Sequence, residues 1–296
     1  MEIIPKELPV RELYGFLVGS VAPRPIAFVS TVDKEGHVNL SPFSFFNVFG
    51  TSPPVLVFSP TRGRNETLKN TYENIRQTME VVVNVVTYDM VRQMNLTSAE
   101  FPKFINEFSK GGFTPVASDL VTPPRVKESP VNFECSVLLT YETSNRPAAG
   151  NLVICEVIKI HIDDHILGDD GKIDPLKIDL VGRMGGSYYS RAKEGLFTVE
   201  RPKTSDMLGI DRLPKFIRNS TYLSGNDLGL LGGLTALPTE DEIRQIKKVF
   251  DVEKILLENK RDRSGREKEL HQYARLLIQQ EKVKEALAVL MLCKEK

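Results

Sequence analysis

The chain has 296 residues, 41% of them hydrophobic and 26% charged. That balance excludes a mainly disordered or fibrous protein and suits one large domain with an extension. Lys plus Arg and Asp plus Glu number 39 each, so no global field draws the chain to nucleic acid or an anionic membrane, and a bound anion needs a local site.

In chain order, the N-terminal stretch MEIIPKELPVRELYG has no basic segment followed by an apolar one, so no secretory signal is expected. No apolar run reaches ~18 residues, the length of a membrane span. Cys135, Cys155 and Cys293 lie far apart and are odd in number, which argues against structural zinc and for a reducing compartment. The expectation is a cytoplasmic protein.

From residue 24 to about 163 the dominant signal is strands. Residues 24–31 (RPIAFVST) are short, apolar and β-branched. A turn at 33–36 follows, and 38–47 resumes as one extended segment, which is a hairpin signature. Residues 54–59 and 80–86 read as buried strands, and 133–141 and 151–163 as two longer ones. Short connections between such strands predict a mainly β, antiparallel barrel and not a βαβ array. One helix interrupts it: Leu68, Tyr72, Ile75 and Met79 recur at helical spacing, with Asn65 and Thr67 as caps. Residues 88–96 form a second, less regular helix.

After Arg201–Pro202 the composition changes. Residues 203–237 are rich in Gly, Leu and Asn and read as a loop-rich connector. Thr239 and Glu242 then form a capping box, opening a helix with Ile243, Ile246, Phe250 and Leu257 on one face. A second helix covers 269–292, with Leu270, Tyr273, Leu277, Leu287 and Leu290 buried. The expected organisation is a domain over 1–202, a connector over 203–237 and a C-terminal helical hairpin over 238–296.

Two stretches could carry chemistry. The first, residues 59–71 (SPTRGRNETLKNT), places Arg, Lys and hydroxyls beside a helix start. Free N–H groups and the positive end of the helix dipole make such a start a phosphate cradle; an ordinary capped, solvated helix start would look the same. It is not a P-loop, because GxxxxGK[ST] is absent. The second, residues 39–47 (NLSPFSFFN), alternates polar and aromatic side chains. On one strand that puts Phe43 and Phe45 on one face and Ser44 and Phe46 on the other, as core phenylalanines also would.

The runs GSVAPRPIAFVSTVDKEGHVNLSPFSFFN, PPVLVFSP, RNETLKNTYENI, VVVNVV, ESPVNFECSV and DLVGRMGGSYY, in this order, resemble the flavin reductase-like family. This is a family of FMN-binding split barrels that includes flavoredoxin and the flavin reductase components of two-component monooxygenases. The resemblance covers roughly residues 10–202. It implies a six-stranded antiparallel Greek-key split barrel that forms a homodimer with FMN near the interface. By position it implies flavin contacts at Ser30 and Thr31, at Ser41, Pro42, Ser44 and Asn47 along the ring and ribityl chain, and at Ser59, Arg64, Lys69 and Thr71 around the phosphate. The family often has Asp or His where this chain has Asn70.

Two functions are then in view. One is an oxidoreductase passing hydride from NADH or NADPH through FMN, with a monooxygenase or other electron-acceptor protein as partner. Flavin N5 carries that chemistry, so no catalytic side chain is assigned. The other is a non-enzymatic FMN protein for electron transfer or partner docking through the C-terminal helices. Gly185–Gly186 after Arg183 could be a close approach to a ligand or an ordinary turn. His161 and His165, with Asp163 and Asp164 between them, are read as a polar strand end, and no metal is expected.

Overall fold

β1 (Ala27–Val32) is buried at every position. Its side chains alternate between two cores, as the period of a strand requires. Ala27 and Val29 join Phe58, Tyr72 and Val83; Phe28, on the other face, joins Leu40, Met94 and Phe108. The structure, a computed structural model, describes every residue except Arg64, Lys203, Thr204, Glu295 and Lys296, and leaves out the side chain of Lys294.

Around β1 the chain builds a seven-stranded antiparallel sheet. Its further strands are β2 (Val38–Phe43), β3 (Phe46–Thr51), β4 (Pro54–Phe58), β5 (Glu80–Val85), β8 (Val131–Glu142) and β9 (Asn151–Ile162). β6 (Pro115–Val116) and β7 (Arg125–Val126) form a small separate ribbon. The order is β2-β1-β5-β8-β9-β4-β3, so β2 and β3, adjacent in sequence, are the two opposite edges.

Two expectations change here. The sheet has seven strands, not six, because residues 38–47 are not one strand. The chain turns at Ser44 and Phe45 to cross from one edge to the other. Phe43, at the end of β2, stacks on Phe58 of β4 at 5.8 Å, and the Ser59 N–H, donating to the Phe45 carbonyl at 2.9 Å, carries the β3–β4 pairing one step further. No ladder joins β2 to β3 among the described residues, so the curled sheet is split at this seam. The simple alternation across 43–46 fails for the same reason.

Helices cover the sheet. α1 (Val10–Ser20) precedes it and carries no sequence expectation. α2 (Asn70–Thr78) buries Tyr72 and Ile75 against the first core. It begins later than expected: Lys69 is its N-cap, so Asn65 and Thr67 cap nothing. Leu68 still packs on that core from the preceding loop. Met79 ends the helix in the left-handed region at φ 55°. α3 (Val91–Leu96) and α4 (Glu107–Gly111) pack with Phe28 and Leu40 on the second core. α5 (Pro175–Ile178) follows, and then a hairpin of β10 (Val181–Arg183) and β11 (Tyr189–Arg191). Gly185–Gly186 is the turn of this hairpin, with Gly186 at φ 59°.

The chain divides into two units, Met1–Phe197 and Thr198–Lys296. In the second, the regular elements among the described residues are all helices, where a connector and a hairpin were expected. Residues 203–237 contain α6 (Gly209–Arg212), α7 (Lys215–Arg218) and α8 (Gly225–Gly232), whose Ile217 and Leu231 sit in the same core as Leu270, Leu287 and Leu290. The two expected C-terminal helices are four: α9 (Glu240–Ile246), α10 (Phe250–Glu258), α11 (Arg263–Gln279) and α12 (Val283–Met291). The capping box is present, with Thr239 N–H donating to Glu242 Oε2 at 2.7 Å and Glu242 N–H to Thr239 Oγ1 at 3.2 Å. The break between α9 and α10 rotates the stripe, so Phe250 and Leu257 are exposed and Val252 is buried instead. No helix among the described residues is long and apolar enough to cross a membrane.

His271 is fully buried in this unit, with Nδ1 2.6 Å from Ser220 Oγ, beside Tyr222, and with no partner for Nε2. Burial holds its pKa below the ordinary value, against the opposing charge of Glu267. The unfolded chain therefore takes up a proton that the folded one resists, and acid favours unfolding. Stability of the helical unit is expected to be full above about pH 6.5 and to fall below it. Thermal melts of wild type and His271→Asn across that range check this; equal loss in both would refute it.

Candidate functional site

The helix start that the sequence singles out opens onto a cavity of about 310 Å³ between β2, α2 and the loop after α3. Lys69 sits at the N-cap with extended backbone and no side-chain cap bond. Its carbonyl accepts the N–H groups of Tyr72 and Glu73 at 2.8 and 3.1 Å. The N–H groups of Asn70 and Thr71 have no partner among the described residues. They sit at the positive end of the nine-residue α2, where an anion is favoured. Lys69 Nζ reaches across to Glu100, which also lines the cavity.

The loop before the helix closes tightly. The Gly63 N–H donates to the Thr67 carbonyl at 2.9 Å. A Cβ at position 63 would lie 2.6 Å from Thr67 Oγ1, so only glycine allows that approach. The result turns Thr67 and Thr61 toward the cavity. Arg62 is committed elsewhere, to Glu142 at 2.5 Å and to the Ser144 carbonyl at 3.2 Å.

The opposite wall is a buried polar chain. Thr71 Oγ1 lies 2.7 Å from the Asn39 side chain. Oriented to satisfy both its ends, the Asn39 amide accepts from Thr71 and donates to Glu107 Oε1 at 3.3 Å. Glu107, on α4, accepts the Leu40 N–H at 3.1 Å. Burial pushes the Glu107 carboxyl up from its usual range, opposed by the Leu40 N–H.

Of the residues expected at a site, the structure brings Ser41, Pro42, Lys69 and Thr71 to this cavity. Ser30, Thr31, Ser44, Asn47 and Ser59 do not line it. Ser30 is buried and donates to the Pro124 carbonyl at 2.5 Å. Thr31 accepts from Asn74 Nδ2 at 3.1 Å, beneath α2. Asn47 is exposed on the β3 edge. Ser59 is buried with Oγ unpartnered, against Gly150. Arg64 lies outside the described residues. Asn39, Thr61, Ser98 and Glu107 line the cavity without having been expected. Asn39 opens the polar-aromatic block and was legible there. Glu107, far along the chain, carries no sequence signal.

His161 belongs to a different arrangement. Its Nε2 lies 2.6 Å from the fully buried Glu134, with Asp119 at 4.0 Å.

Residues 19–177 match the family described as Flavin reductase like domain. An uncharacterized protein of Aquifex aeolicus is 40% identical over 192 residues, which cover 65% of this chain and 96% of that one. Among solved structures, nitrilotriacetate monooxygenase component B from Bacillus cereus is 30% identical with a TM-score of 0.63, covering 67% of this chain and 98% of its own. The 2-nitrobenzoate 2-nitroreductase of Pseudomonas fluorescens is 26% identical with a TM-score of 0.59, covering 69% and 98%.

Proposed function

The chain belongs to the flavin reductase-like family, and we propose that it binds FMN in the cavity at the start of α2 and acts as an NAD(P)H-dependent flavin oxidoreductase. The observation that carries this reading is the convergence of donors at the helix start: two N–H groups without a partner among the described residues, Lys69 and the Thr67 hydroxyl. That donor set fits a phosphate. Ser41 and Pro42, on β2 beside it, would lie along the remainder of the cofactor, with the unpartnered Ser59 Oγ a further donor at the seam. Bound FMN would supply the hydride acceptor, N5 of its ring. The chain's own residues bind and orient: Lys69 exchanges Glu100 for the phosphate, and Asn39 and Glu107 hold Thr71 in place.

Stopped-flow mixing of the FMN-loaded protein with NADH or NADPH, without oxygen, tests the reading. Loss of the flavin's visible absorbance is expected. Persistence of that absorbance with both donors would leave a non-enzymatic FMN protein. The name of the Bacillus cereus relative, a monooxygenase component, supports a monooxygenase as the acceptor of the reduced flavin.

A homodimer belongs to the same proposal. Val10, Tyr14, Leu17 and Val21 follow one stripe of α1 and its C-cap, and each is more than half exposed. Beside them Tyr14 meets the exposed Phe45 edge-on at 6.5 Å. A symmetric second copy would cover this stripe. Sedimentation velocity at micromolar concentration is expected to show two chains, and Leu17→Asp to shift them toward monomer. A monomeric wild type with FMN bound would contradict the arrangement.

A further inference from the structure

A second cavity, of about 510 Å³, lies in the first unit beside α3 and the β10–β11 hairpin. That volume is in the range of small-molecule sites. Three arginines line it, Arg92, Arg183 and Arg191, with Tyr88 and Tyr189, and no acidic residue does. The arginines are not equivalent. Arg191 lies 3.7 Å over the Tyr88 ring and is bound to Asp179 at 2.8 and 2.6 Å and to Glu194 at 3.1 Å. It is strong enough, with Lys193, to hold the Asp179 carboxyl down to about 2. Its charge is already matched.

Arg183 and Arg92 have no such match. Arg183 stacks 4.5 Å over Tyr189, and among the described residues its guanidinium makes one hydrogen bond, to the Tyr188 carbonyl at 3.4 Å. Arg92 is exposed on α3 and makes no ion pair among the described residues. Arg183 also has a like charge nearby: burial lowers the pKa of Arg24, Tyr14 opposes that, and Arg183 adds to it. Two guanidinium groups without an acidic partner among the described residues, one of them stacked on Tyr189, are the chemistry of a ligand with a flat ring and a phosphate.

The cavity is also next to the first one. Asn95 lines it and Ser98 lines the α2 cavity, and the Ser98 N–H donates to the Asn95 carbonyl at 3.2 Å. One turn of chain separates the two.

We propose that this second cavity takes the adenosine-phosphate end of the nicotinamide donor, and that Arg92 and Arg183 select the donor carrying a 2′-phosphate, NADPH, over NADH. The identity of the donor rests on the reductase reading above. The assignment of an adenosine phosphate to the cavity rests on its own residues. A planar guanidinium pair around a ribose phosphate is a common way to make that distinction.

Isothermal titration of the full, FMN-loaded chain with adenosine 2′,5′-bisphosphate and with 5′-AMP tests the site without turnover. The bisphosphate is expected to bind about tenfold or more tightly than 5′-AMP. Arg92→Ala, at an exposed position, is expected to remove most of that difference, and Arg183→Ala to do the same. In turnover both should raise KM for NADPH by a larger factor than KM for NADH. Equal or absent binding of the two nucleotides, with the flavin still reduced by either donor, would overturn the cavity assignment and leave the reductase reading standing. Tight, Arg92-dependent bisphosphate binding with no flavin reduction would uphold the cavity assignment and overturn the reductase reading.

Discussion

Riboflavin is expected to bind about a hundredfold or more weakly than FMN in a fluorescence titration. The two ligands differ only in the phosphate, and the α2 cavity offers it Lys69 and the free N–H groups of Asn70 and Thr71. Charge-assisted hydrogen bonds contribute about 1.5–3 kcal/mol each; two of them give a factor of a hundred or more. Lys69→Ala separates ligand binding from stability. In the structure Lys69 pairs with Glu100, whose side chain is 77% exposed. An ion pair of that kind adds little to folding. A cation at a helix N-terminus is, if anything, unfavourable there. The variant's melting temperature without FMN is therefore expected to match wild type, while the rise produced by FMN shrinks, since that rise follows affinity. A much lower melt without FMN, together with an undiminished FMN shift, would make Lys69 structural and remove the phosphate from this site. Equal affinity for FMN and riboflavin would do the same.

The strands were legible because their signal is local. The β-branched runs at 27–32 and 80–85 can satisfy their side chains only when buried on both faces, and they are. That Lys69 and Thr71 share one cavity wall could be anticipated because they lie side by side at a helix start. What was not legible depends on distant residues. The crossing at Ser44 and Phe45 exists because β2 and β3 sit on opposite edges of the sheet, set by β8 and β9 about a hundred residues later. Glu107 enters the cavity through α4, and nothing near it in sequence marks it out. The partner of the Ser30 hydroxyl, the Pro124 carbonyl, belongs to a remote loop that nothing near Ser30 in sequence announces. In the second unit the periodicity identified helices correctly but not their breaks. Glu281 adopts a left-handed backbone at φ 63° between α11 and α12, which no pattern of apolar residues reveals.

Glu134→Ala is expected to cost about 1–3 kcal/mol or more, the range for leaving buried hydrogen-bonding groups without their partner. Glu134 lies on β8 with its side chain wholly buried. One carboxylate oxygen accepts the Asp119 N–H at 2.9 Å and meets His161 Nε2 at 2.6 Å; the other accepts the Leu120 N–H at 2.6 Å. The alanine would strand two backbone donors and an imidazole, and the loop at 119–120 would lose its anchor to the sheet. Burial alone would raise the Glu134 carboxyl, but the Asp119 and Leu120 N–H groups and His161 outweigh it and hold the pKa below the usual value. A carboxyl depressed in the folded state stabilises the fold above its unfolded pKa, about 4.3, and that contribution is lost as pH falls through the lower folded value. Glu134→Gln, which still accepts hydrogen bonds but carries no charge, should recover part of the loss and flatten the acid limb of the stability profile. Urea unfolding followed by a probe in the first unit, measured for the three proteins across the acid range, checks both points. A loss below about 1 kcal/mol for the alanine variant, the size of an exposed pair, would mean that water reaches this carboxylate and that the loop is held by other contacts.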